Sequence, residues 1–62
     1  MTEAELFRSR ADEAAALAAG SDLDNVRDRY LRAKAAWEEM AARSERVATQ
    51  RARNDAEKAG RH

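Results

Sequence analysis

Residues 23–47 read LDNVRDRYLRAKAAWEEMAARSERV, and within them Leu23, Val26, Tyr30, Ala33, Trp37, Met40, Ser44 and Val47 recur at alternating steps of three and four. Two such positions per heptad mark the seam of a long α-helix that faces another helix. The only Trp and the only Tyr lie in this stretch. Most of the large apolar surface is therefore on this one element, and the rest of the chain is organised around it.

Upstream, Ala4, Phe7, Ala11, Ala14 and Ala18 repeat the three-four spacing, with Leu6 and Leu17 flanking them. This predicts a first helix over residues 3–19 whose seam is small except at Phe7. Thr2-Glu3-Ala4-Glu5 fits a capping box, and its two carboxylates suit the positive end of the helix dipole. Gly20 follows the last periodic residue, where a left-handed position favours glycine. Ser21 before Asp22 and Asp24 reads as the N-cap of the next helix. A connection of two to four residues makes the helices antiparallel neighbours. The expected fold is an all-α, antiparallel two-helix hairpin, with a first helix over about 3–19 and a second over about 22–59.

The second helix is expected to outrun the first, which should cover it only as far as about Met40 to Arg43. Past Val47 the seam positions become Arg51, Asn54 and Lys58, while Ala41, Ala48, Ala52 and Ala59 keep a thin stripe of small side chains. Residues 48–62 thus read as a charged helical extension of the single hairpin, open to fraying. Five i,i+4 charge pairs support the helix: Asp28–Arg32 and Glu39–Arg43 in the favourable acid-first order, with Lys34–Glu38, Arg51–Asp55 and Arg53–Glu57 in the reverse order.

Composition narrows the function classes. Only ten substantial apolar side chains follow Met1 in 62 residues. That is thin material for an independent core, and self-association is the simplest remedy. Without cysteine there is no disulfide and no thiolate ligand. No apolar run approaches the ~20 residues that cross a bilayer, and the N-terminus lacks a signal-peptide pattern, so the expectation is a cytoplasmic protein with no membrane partner. Net charge is zero but uneven, with six basic and nine acidic side chains in residues 1–42 against six and three in residues 43–62.

Catalysis has little to work with. His62 is the only imidazole and the acidic pairs sit on solvated faces, whereas acid–base chemistry needs groups buried in a cleft. We therefore expect no enzyme, no metal and no cofactor. Trp37, Tyr30 and Met40 read as core residues rather than a ligand-stacking cluster. Leu31 lies off the seam with Ala35 and Ala42, as on a helix that touches two partners. Leu31, Ala35, Trp37 and Ala42 are accordingly the candidate partner interface, for a homodimer or another helical protein. Arg43, Arg46, Arg53 and Arg61, with Gln50, fall near one side of the tail, and Arg43, Arg46, Arg51 and Arg53 give an alternative, a small regulator whose arginines contact nucleic-acid phosphates. Neutral net charge and the lack of an aromatic among them weigh against it.

The runs Phe7-Arg8-Ser9-Arg10-Ala11-Asp12-Glu13-Ala14 and Tyr30-Leu31-Arg32-Ala33-Lys34-Ala35-Ala36-Trp37-Glu38-Glu39-Met40-Ala41 resemble a pattern in a group of short alphaproteobacterial helical-hairpin proteins. The resemblance covers about residues 5–46. It implies the same hairpin fold, and because the group is functionally uncharacterised it implies no site residues. The function expected from the residues themselves is a non-catalytic protein–protein interaction or scaffold module acting through helix–helix contacts.

Overall fold

The computed structural model describes residues 1–60, so Arg61 and His62, both named above, lie outside the described residues. The chain forms α1 (Glu3–Ala19) and α2 (Asp24–Ala59), packed antiparallel as a hairpin. Thr2 caps α1 from an extended conformation, its Oγ1 accepting the Glu5 backbone N–H at 3.1 Å. Glu3 and Glu5 fill the acidic first turn. The bounds of α1 are those the seam spacing predicts.

The turn departs from expectation in two ways. Gly20 has φ −86° and ψ 0°, so it ends α1 without entering the left-handed region; its N–H donates to the Ala16 carbonyl at 3.1 Å. Ser21 does not cap α2. Its N–H still bonds the Ala18 carbonyl at 3.2 Å, and its hydroxyl donates to the Leu23 carbonyl at 3.3 Å, so its oxygen is turned away from the amides of α2. Leu23 takes the N-cap place with no side-chain bond, and α2 begins at Asp24, two residues later than predicted. Arg27 straps this turn, reaching the Ser21 carbonyl at 3.1 Å and Asp24 at 3.5 Å.

A methyl group at Gly20 would lie 3.5 Å from the Ala16 carbonyl oxygen, an ordinary contact. With negative φ, Gly20→Ala should therefore stabilise the hairpin by about 0.4–1 kcal/mol through the unfolded chain. A rise in the urea midpoint, followed by helical circular dichroism, would show it. A clear fall would mean that the turn needs glycine after all.

Packing runs along the predicted seam but is broader. The residues removed from solvent are alanines: Ala11, Ala14 and Ala18 on α1, and Ala41, which is 0% exposed, on α2. In a two-helix molecule only the opposite helix can cover each of them. Phe7, Val26, Tyr30, Ala33, Trp37, Met40 and Ser44 are half-buried around this line, as the seam predicts. Lys34 and Ala41 belong to the same face, so α2 turns a stripe of three positions per heptad toward α1, where two were predicted. Two seam positions fail. Leu23 is 63% exposed because it belongs to the turn, and Val47 is 45% exposed because it lies where α1 ends.

Contacts across the hairpin carry α1 to Ser44 and Glu45, just past the Met40 to Arg43 limit predicted. Both Nε and Nη2 of Arg8 donate to Glu45 Oε1, at 2.8 and 2.6 Å, and the Ser44 hydroxyl donates to Glu3 at 3.4 Å. The later start of α2 shifts the register in this direction. Arg8 and Glu45 are both about half exposed. Breaking the pair with Arg8→Ala and Glu45→Ala should therefore reveal a coupling no larger than about 1 kcal/mol in a double-mutant cycle by chemical denaturation. Of the five predicted i,i+4 pairs, Lys34–Glu38 forms at 3.2 Å. Arg32 turns to the Asp28 backbone carbonyl, at 3.4 Å, instead of the Asp28 carboxylate. Glu39–Arg43, Arg51–Asp55 and Arg53–Glu57 do not close among the described residues.

The molecule is a rod of 61 × 18 × 10 Å with a radius of gyration of 16.8 Å. A compact chain of this length has a radius near 11 Å. The difference comes from α2, which continues unbroken through Ala59 with every residue from 48 to 59 exposed.

Candidate interaction surfaces

The predicted partner residues do not share one surface. Trp37 faces α1, where its ring meets Phe7 at a centroid distance of 5.8 Å and a tilt of 30°. Leu31, 46% exposed, and Ala35 line a shallow hollow with Asp28 and Arg32 on the outer side of α2. Ala42 is half-buried and borders a separate hollow with Glu45, Arg46, Thr49, Gln50 and Arg53.

The four arginines of the nucleic-acid reading are also divided. Arg43 and Arg51 border the groove at the N-terminus of α1, and Arg46 and Arg53 border the hollow beside Ala42. All four are exposed, and none joins an ion pair among the described residues. No aromatic lies in either lining except Phe7.

A feature that the helical spacing alone did not single out is the inequality of the two edges of the hairpin. Along one edge, Ala33, Met40 and Val47 follow one another at seven-residue steps, and Arg10, Glu13 and Leu17 border them from α1. This edge carries two grooves in line. One, of about 490 Å³, has Phe7, Met40, Val47 and Ala48 as its apolar lining, with Glu3, Arg43 and Arg51 around it. The other, of about 460 Å³, is lined by Ala14, Leu17, Tyr30, Ala33 and Trp37, with the 3.1 Å Arg10–Glu13 ion pair beside it. The opposite edge, where Lys34 and Ala41 lie, is strapped by Arg8–Glu45 and carries the Lys34–Glu38 pair along α2. Leu17 is the signal that was legible in the sequence: it flanks the α1 seam on one side only, and it is 52% exposed.

These grooves are open and shallow, and no described polar side-chain atom is buried without a partner. Among the described residues no group of three or more His, Cys, Asp or Glu is placed to hold a metal ion. No described helix is long and apolar enough to cross a membrane. What the surface offers is apolar edges fringed by charge. No protein-family model matches the chain, and no curated protein or solved structure matches it either.

Proposed function

We propose that this chain is a non-catalytic protein–protein interaction module of the cytoplasm, which works through helix-to-helix contacts of α2 and pairs with itself as a homodimer. The observation that carries this is surface. The chain exposes 5097 Å², whereas a compact monomer of 6.9 kDa exposes about 4,000 Å². The excess of roughly 1,100 Å² exceeds the ~800 Å² that each partner contributes to a standard interface. Kinship with the alphaproteobacterial hairpin group belongs to the same proposal and rests on the two sequence runs quoted above.

Sedimentation equilibrium from roughly 1 to 100 µM tests it, because an associating fold gains stability with concentration. The expected result is a mass rising toward the dimer, with the melting temperature rising alongside. A fully helical monomer over the whole range would sink the homodimer.

A second reading is supported by the net positive charge of residues 43–62: Arg43, Arg46, Arg51 and Arg53 would contact phosphates of a nucleic acid. Four such contacts would lose roughly 50-fold in affinity between 50 and 150 mM salt. Fluorescence anisotropy with a labelled RNA hairpin and a DNA duplex is expected to show no binding at about 150 mM salt. Tight binding there would reverse the order of the two readings.

A further inference from the structure

Self-association leaves open which surface is used, and the unequal edges supply an answer. Resting on the reading of the chain as a self-pairing module, we propose that a second copy packs antiparallel on the edge that carries Leu17, Trp37, Met40 and Val47. The two-fold axis then lies at the middle of α2. That helix spans Asp24–Ala59, so its midpoint falls between Ala41 and Ala42, and only a two-fold there overlaps the whole helix with its mate.

Charge favours the same arrangement. Residues 12–28, around the turn, hold five acidic side chains against one basic, and residues 43–59 hold five basic against three acidic. Antiparallel pairing lays the basic arm of each copy along the acidic turn end of the other, bringing Lys58 beside Asp24. A parallel pairing would set like against like. Apolar shape agrees: Val47, left 45% exposed where α1 stops, comes opposite Ala36 and reaches the groove between Ala33, Trp37 and Leu17. The other edge is bridged from helix to helix by the Arg8–Glu45 pair, whereas the Arg10–Glu13 pair on this edge lies within α1 and leaves the groove open. Covering about 800 Å² per copy would bring the exposed surface close to that of a compact chain.

The chain has no cysteine, so single introduced cysteines report on pairing without background. Position 43 lies on this edge within a turn of the axis, and Arg43→Cys is expected to oxidise to a disulfide dimer. Arg53→Cys, far from the axis and off this edge, is expected not to. Independently, Val47→Asp should raise the dimer dissociation constant roughly tenfold or more by sedimentation, while Leu31→Asp leaves it unchanged. Val47 lies at the end of α1, and far-UV circular dichroism at high concentration would show the hairpin intact. If dimers persist in Val47→Asp and vanish in Leu31→Asp, or if Arg53→Cys cross-links and Arg43→Cys does not, the edge is wrong and self-pairing stands. If the unaltered chain stays monomeric at about 100 µM, the edge and the homodimer fall together.

Discussion

Replacing Ala41 with leucine is expected to remove about 2–3 kcal/mol of stability, the upper part of the range for forcing extra methylenes into a close-packed site. Ala41 is 0% exposed, and only α1 can be covering it. The Glu3–Ser44 and Arg8–Glu45 contacts set Ala41 against the N-terminal half of α1, where Ala11 is removed from solvent and Phe7 is already held against Trp37, which leaves little room for a longer side chain. A leucine must push the helices apart, which loosens the whole seam at once. A 62-residue domain has only about 3–9 kcal/mol in total. At roughly 4–8 °C per kcal/mol, the melting temperature should fall by about 10–20 °C. Ala16→Leu is the control, since Ala16 is exposed on α1 and leucine is nearly as good a helix former as alanine. It should leave the melt almost unchanged. Equal melting of the two variants would mean that the alanines are not in close contact and that the hairpin is held in some other way.

That experiment bears on what the amino-acid pattern could and could not disclose. The three-four spacing located both helices, and it made α1 the side with small seam residues. It ranked Met40 over Ala41, because periodicity marks which side of a helix is buried but not which position on that side comes nearest. Closest approach depends on the interaxial distance, which the alanines of both helices set together. The turn was legible in outline only. Gly20 and Ser21 mark a break, but whether Ser21 caps the following helix depends on whether its hydroxyl turns to an amide or, as found, to the Leu23 carbonyl. Arg8–Glu45 was beyond reach, since two charges 37 residues apart are paired only once the register of the hairpin is known. The unequal edges had a trace in the pattern, Leu6 and Leu17, which are eleven residues apart and so flank one side of a seam that is alanine except at Phe7. Leu31 drew attention instead because it stands apart from the seam of its own helix, and the structure leaves it on the outer side of α2.

Trp37→Ala should be the most damaging truncation, at about 2–4 kcal/mol. Fully buried tryptophans cost about 3–5 kcal/mol when cut to alanine, and Trp37 is half-buried, which lowers the transfer part. Its ring meets Phe7 at 5.8 Å, and such an aromatic pair adds about 0.5–1.5 kcal/mol beyond area. Phe7 is the only large side chain on the α1 seam, and Leu17, which borders the same groove as the indole, is 52% exposed, so little on α1 is placed to fill the space left by the indole. Helical circular dichroism should therefore drop at every concentration, because the loss is within the hairpin before any second chain is involved. Trp37→Phe keeps a ring against Phe7 and should recover most of the signal. In a double-mutant cycle, Phe7→Ala and Trp37→Ala should couple by about 0.5–1.5 kcal/mol. The alternative is a tryptophan that serves chiefly as an intermolecular contact. Trp37→Ala would then abolish dimers yet leave a monomer of undiminished helicity, with no coupling to Phe7. The 30° tilted pair would in that case be an incidental contact, and the hairpin would stand on its alanines alone.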